Sequence, residues 1–210
     1  MNQLTLFNPD EYYRFPEELL EYTADFLDEK KAGKLLQKLM DATPWKKDKN
    51  IQKTYDKEVR APRLTAWYGD GSKSYHLGGN EFMVNQWSPE LLNLKKKIEK
   101  ATGYHFNTAL LNLYRDGNDS AAWKRDKESE LGDCPVLASV NLGQVRDFDF
   151  RKFDDRKKKY SLPLQHGSLL IMKGGLQIHW EHRMSKSENI QEPGINITFR
   201  MIREISEIRE

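Results

Sequence analysis

The sequence predicts a mostly β chain of the sandwich or jelly-roll class, with two or three helices from its first half packed on one sheet. First, the second half breaks into short runs of β-forming residues at 108–114, 136–142, 148–153, 168–172, 176–180 and 195–202. Second, turn formers separate those runs: Asp116-Gly117-Asn118-Asp119, Gly143, Asp154-Asp155 and Gly174-Gly175. Third, helical spacing of apolar residues is confined to the first half, so strands and helices do not alternate as they would in a βαβ chain. Short strands in such a succession build a sandwich or jelly roll.

The helices are read from their ends. Asp28 is placed as an N-cap, and Leu35, Leu36, Leu39 and Met40 follow at helical spacing until Pro44 stops the element. Residues 46–60 are polar and Lys-rich and read as a surface loop. Pro89 opens a second helix carrying Leu91, Leu92 and Ile98, which ends near Gly103. Its Lys95-Lys96-Lys97 run reads as a solvated face.

Composition narrows the class. A chain of 210 residues suits one domain, divided here into an N-terminal extension (1–19), the main domain (20–203) and a short tail (204–210). Charged residues make up 31% and apolar ones 38%, but five Trp, nine Tyr and nine Phe suffice for a core, which excludes disorder throughout. Net charge is +2, so no global field marks the chain as nucleic-acid binding. The single cysteine, Cys134, excludes a disulfide framework and a Cys-rich metal site, and it suits a reducing cytoplasm. Neither a bilayer-spanning run nor a signal-peptide pattern is present. The expectation is a soluble, cytoplasmic monomer that does not meet a membrane.

No Walker loop, Gly-x-Ser-x-Gly or GxGxxG pattern occurs. Four other segments stand out: Asn112-Leu113-Tyr114-Arg115-Asp116-Gly117, Trp123-Lys124-Arg125-Asp126-Lys127-Glu128, His179-Trp180-Glu181-His182 and Asn196-Ile197-Thr198-Phe199-Arg200. Pro62-Arg63-Leu64-Thr65-Ala66-Trp67-Tyr68-Gly69 precedes them, and Arg146-Asp147-Phe148 and His166-Gly167-Ser168-Leu169-Leu170 lie between. In this order and spacing the segments resemble the AlkB family of Fe(II)/2-oxoglutarate dioxygenases. The resemblance implies a double-stranded β-helix over residues 20–203, with a nucleotide-recognition lid near 62–87. It further implies oxidative dealkylation of N-alkylated bases in single- or double-stranded DNA or RNA, a repair chemistry that uses Fe(II), 2-oxoglutarate and oxygen. The target base would be flipped out of its stack to reach the site.

Residue by residue, the resemblance assigns iron to Asp126 and His182, which belong to a two-His, one-carboxylate triad. Lys124 stands where the family has the first His. An ammonium has no lone pair to give a metal. The resemblance assigns 2-oxoglutarate to Asn112, Tyr114 and Arg200, while Gly194 stands where the family has a second Arg six residues before Arg200. Losing a bidentate Arg–carboxylate contact weakens a ligand of that kind. Trp67, Tyr68, Tyr75, Glu128 and Arg146 match base-side positions, although Leu77 replaces a lid aromatic. Lys124 has three readings: a cation filling the iron position and paired with Asp126, a side chain turned to solvent, or a reactive amine. Three functions follow. One is a dealkylating enzyme with impaired cofactor binding. Another is an inactive protein that binds nucleic acid or its lesions. The third is a metal-free catalyst built on Lys124.

Overall fold

The computed structural model describes residues 16, 18–47, 51–54, 57–60, 63–71, 74–77, 80–126 and 128–203. In chain order its elements are β1 (Leu20–Thr23), α1 (Glu29–Ala42), β2 (Lys46–Lys47), β3 (Ile51–Thr54), β4 (Lys57–Arg60), β5 (Leu64–Gly69), β6 (Ser74–Leu77), β7 (Asn80–Met83) and β8 (Asn85–Gln86). Then follow α2 (Pro89–Thr102), β9 (Thr108–Tyr114), β10 (Ala121–Lys124), β11 (Leu137–Gly143), β12 (Arg146–Lys152), β13 (Lys159–Leu164), β14 (Leu169–Met172), α3 (Gly174–His179), β15 (Trp180–Met184) and β16 (Gly194–Arg200). The proposed extension and tail fall almost wholly outside the described residues, as do Pro62, Gly78-Gly79 and Lys127.

Two sheets carry the domain. The major sheet runs β1-β14-β11-β16-β9-β5-β2, with β8 alongside β5, and the minor sheet runs β10-β15-β12-β13. This is the double-stranded β-helix that the strand pattern and the resemblance led us to expect. The major sheet is antiparallel along its main path, and its alternation sorts side chains between two environments. On β9 and β16, Ala109, Leu111, Leu113, Ile195, Ile197 and Phe199 enter the core beneath the helices. Leu39 of α1 and Leu91, Leu94 and Ile98 of α2 complete that core. The alternate residues, Asn112, Tyr114, Asn196, Thr198 and Arg200, face the other way, toward the minor sheet. Nearer β14 that inner face is apolar: Leu137, Leu170 and Met172 pack on Phe148, Phe150 and Trp180. The inter-sheet space is thus a sealed core at one end and a polar pocket at the other.

Both helices begin and end for the reasons their sequences give. The Asp28 carboxylate accepts from the Lys31 amide at 2.9 Å, capping α1. Ser88 caps α2 ahead of Pro89, and Gly103 closes it at φ 76°, in the left-handed region where glycine costs least. The lysine run on α2 is less solvated than its composition suggests. Lys95 pairs with Glu99 at 3.1 Å and is largely covered, and Lys97 donates to the Phe26 carbonyl beneath its ring contact. No helix among the described residues is long and apolar enough to cross a membrane.

Two local expectations are corrected. Residues 46–60 hold β2 and the β3–β4 ribbon rather than an irregular loop; Ile51 and Val59 alone are too few apolar residues to show an alternation. Residues 176–180 lie mainly in α3, and β15 begins only at Trp180. The Gly174-Gly175 pair opens that helix because its backbone crowds Cys134: a Cβ on Gly174 would sit 2.1 Å from the Cys134 Sγ.

Candidate active site

The pocket lies between the sheets, lined by Asn112, Tyr114, Lys124, Asp126, His182 and Arg200 together with Arg63, Ser139, Asn196 and Thr198. The six residues that sequence assigned to iron, to its lost ligand and to 2-oxoglutarate therefore meet in one place. Two strands bring the metal-side residues in. Lys124 pairs with His182 across β10 and β15, while Ala121 pairs with Met184. One extra residue on β10 lies between these pairs, a bulge that re-aims the end of the strand. Asp126 follows two residues after Lys124, and its backbone N–H donates to the fully buried Gln177 side chain of α3 at 3.2 Å.

The ion pair at the centre decides the chemistry. The Lys124 Nζ donates to the Asp126 Oδ1 at 2.7 Å. The other carboxylate oxygen lies 3.6 Å from the His182 Nε2 and 3.6 Å from an Arg200 guanidinium nitrogen. Burial alone would push the Asp126 carboxyl up, but Lys124 and Arg200 outweigh it and hold the group well below the usual carboxylate range. Burial pushes the His182 imidazole down to about 4, with Asp126 opposing and the two cations assisting. His182 is therefore neutral near pH 7, its ring stacked on Phe148 and its Nδ1 without a hydrogen-bond partner. Desolvation also lowers Lys124, with Asp126 pulling the other way.

The opposite wall is a connected polar ladder. The Asn196 Nδ2 donates to the Ser139 Oγ at 2.6 Å and to the Asn141 Oδ1 at 2.9 Å, and the Thr198 hydroxyl donates to the Asn196 Oδ1 at 2.9 Å. The Arg63 Nε donates to the Asn112 Oδ1 at 2.8 Å. Arg200 is buried, lies 5.5 Å below the Trp67 ring, and keeps an Nε without a partner. Gly194 pairs with Tyr114 at the far end of the ladder. A Cβ there would approach the Gln144 and Leu142 carbonyls to 3.2 and 3.3 Å.

The base-side residues divide. Trp67 stays over the pocket, stacked on Phe82 at 4.1 Å, and half-buried Glu128 lies nearby, its carboxyl pushed up by burial. Tyr68 is corrected: alternation along β5 turns it away from Trp67 into the core under the helices. Tyr75 packs instead with Val84, Leu131 and Ile202, and its hydroxyl donates to the Asp70 carbonyl. Arg146 is buried over the Tyr114 ring and donates to the Asp116, Asp119 and Ser185 carbonyls, which makes it a tie between loops. Sequence reasoning did not single out Arg63 or Gln177. Arg63 was visible only as part of its segment, and nothing local marks Gln177.

Comparison with known proteins places this geometry. The sequence profile of the 2OG-Fe(II) oxygenase superfamily matches residues 20–200. The chain belongs to that superfamily and, within it, to the AlkB family. It is 40% identical over 185 residues to the human alpha-ketoglutarate-dependent dioxygenase alkB homolog 3, a match covering 84% of this chain and 64% of that protein. It is 38% identical over 148 residues to the human DNA oxidative demethylase ALKBH2, covering 67% of this chain and 57% of that one. The chain thus spans less than two thirds of the length of these relatives. The solved structure of OsALKBH1 shares the fold, with a TM-score of 0.65 at 14% identity, over 90% of this chain and 100% of that one.

The cofactors of the family are Fe(II) and 2-oxoglutarate, and the residues present fit them unequally. Asn112, Tyr114 and Arg200 remain able to meet 2-oxoglutarate. Iron does not fit. Among the described residues no group of three His, Cys, Asp or Glu side chains could hold a metal, and the carboxylate that should bind iron is bonded to an ammonium.

Proposed function

We propose that this chain is an AlkB-type protein for oxidative dealkylation of N-alkylated bases in DNA or RNA, with binding of Fe(II) and of 2-oxoglutarate impaired by Lys124 and Gly194. The observation that carries this reading is the convergence of Asp126, His182, Asn112, Tyr114 and Arg200 on one cavity. The 40% identity to a human alkB homolog supports it. Trp67 over the pocket offers an aromatic face for a flipped base. A second reading is favoured by the Lys124–Asp126 bond itself: with the metal position taken by a cation, the pocket holds an alkylated base without oxidising it. The single cysteine and balanced charge support a cytoplasmic monomer.

The test offers oligonucleotides carrying N-methylated bases, with Fe(II), 2-oxoglutarate and ascorbate, and follows both binding and base composition. The expected outcome is preference for methylated over unmodified strands, with turnover at least about 100-fold below that of the Lys124→His, Gly194→Arg variant. Equal turnover would contradict the impairment. Indifference to methylation would remove the nucleic-acid reading. Trapping of a borohydride adduct at Lys124 would point to the metal-free catalyst.

A further inference from the structure

Four segments meet at the Gly194 end of the pocket wall: the start of α1, the turn after β11, the turn between β13 and β14, and the start of β16. Backbone bonds tie them together. The Gly167 N–H donates to the Asn141 carbonyl at 2.7 Å, and the Asn141 N–H to the Ser168 carbonyl at 3.1 Å. The Leu27 N–H donates to the Gly167 carbonyl at 2.9 Å, and the Gln144 N–H to the Pro193 carbonyl at 3.1 Å. In this corner the Gly143 N–H donates instead to a titratable side chain, the His166 Nδ1, at 2.7 Å.

An imidazole nitrogen accepts a hydrogen bond only while it carries no proton, so this bond requires the neutral ring with its proton on Nε2. A second proton sets two N–H groups face to face, and the bond is lost. The turn has little room to adjust, because Gly143 holds φ at 85° and a Cβ there would sit 2.5 Å from the Pro193 carbonyl oxygen. At 17% exposed, the His166 side chain is within reach of solvent protons. From α1, the exposed Glu29 carboxylate lies 3.9 Å from the His166 Nε2, placed as a counter-ion once the ring is charged. The other residues at the corner, Gly143, Gln144, Gln165, Ser168, Pro193 and Gly194, do not titrate.

The corner reaches the pocket through β11. Gly143 pairs with Gly194 and Asn141 with Asn196, and the Asn141 Oδ1 accepts from the Asn196 Nδ2 on the pocket wall. We propose that His166 is an acid-sensitive latch on this end of the wall. Neutral, it pins the turn after β11 and, through it, the Gly143–Gly194 pair. Protonated, it releases both. The latch acts on the wall whatever the pocket holds, so it does not rest on the nucleic-acid reading.

The test is amide hydrogen exchange of the unmodified protein, followed by NMR between about pH 7.5 and pH 5. That span lies above the value of about 4 at which His182 titrates. The protection factor of Gly143 should fall at least about tenfold, the equivalent of one lost hydrogen bond. His166→Gln, whose side-chain carbonyl accepts without titrating, should keep its protection throughout, and His166→Leu should lack it throughout. The Asn196 Nδ2 proton signals should move over the same span in the unmodified protein and stay in place in His166→Gln. Flat protection in the unmodified protein, an equal fall in His166→Gln, or Asn196 signals indifferent to pH would overturn the proposal. Should the variants fail to fold, the imidazole nitrogen shifts of the unmodified protein decide. A ring protonated on Nε2 alone near neutral pH, gaining its second proton in step with the loss of Gly143 protection, supports the latch; a proton on Nδ1 near neutral pH overturns it.

Discussion

The polar wall on β9, β11 and β16 and the edge formed by β10 and β15 face each other across one cavity, yet they hold their chemistry differently. In the wall, pairing runs unbroken from Gly194–Tyr114 to Arg200–Thr108, and Ser139, Asn141, Asn196 and Thr198 brace one another. Along the edge, β10 pairs with β15 at two positions around a bulge, and the Lys124 side chain is 35% exposed. A change at Asn196 or Thr198 would break bonds to neighbours in the ladder. Where the resemblance places the first metal ligand, a long flexible stem can reach solvent, and there a lysine is accommodated. The wall presents Asn112, Tyr114 and Arg200 but has Gly194 where the resemblance places a second Arg, and the edge presents an ammonium where the resemblance places a metal ligand.

The largest effect should come from restoring the edge alone. Lys124→His is expected to raise Mn(II) affinity more than about 100-fold, read by calorimetry, because it returns a third ligand beside Asp126 and His182. Adding Gly194→Arg should tighten 2-oxoglutarate further, once the Gln144 and Leu142 carbonyls give by a few tenths of an ångström. If Lys124→His gains no metal affinity, the edge differs from its relatives by more than one ligand.

Acid should strain the edge before the wall. His182 titrates at about 4 when folded against an ordinary 6.5, so the unfolded chain takes up its proton first as pH falls. Stability is whole above pH 6.5 and should decline by about 3 kcal/mol on the way to pH 4, roughly 6–12 °C in Tm. Asp126, held low in the fold, adds a further loss below the ordinary carboxylate range. His182→Gln should remove the first decline. A Tm that is flat from pH 7 to 4 would show the imidazole to be solvated.

Much of this contrast was legible in the sequence. The strands of the wall were readable as runs of β-forming residues set off by turn formers, and the capped helices from Asp28, Pro89 and Gly103. The departures at Lys124 and Gly194 were visible against the family pattern. What could not be read was direction. Nothing in Trp67-Tyr68 says which aromatic turns to the pocket until the phase of β5 is fixed by its pairing with β9. Arg146 was assigned to the base side by its match to the family segment, and its carbonyl partners at 116, 119 and 185, distant in sequence, emerge only in the fold. Arg63 and Gln177 reach the site through tertiary pairing alone.

A smaller effect tests the ion pair itself. Lys124→Met leaves Asp126 with Arg200 and His182 only, and should cost about 1–2 kcal/mol in urea unfolding, discounted because the lysine is partly exposed. Adding Asp126→Asn to Lys124→Met should cost more again, because the buried Arg200 then loses the carboxylate that lies 3.6 Å from it. Asp28→Ala, far from both walls, should cost about 1 kcal/mol through its lost cap and leave ligand affinities unchanged.

Titration of the unmodified protein with Mn(II), in the presence of 2-oxoglutarate and without oxygen, bears most directly on the claim that an ammonium has taken the metal's place. The structure predicts no site-specific metal binding in the micromolar range, with or without the acid. A one-to-one micromolar site that tightens with 2-oxoglutarate would contradict it, and would mean that Lys124 swings away from Asp126 to let the metal in.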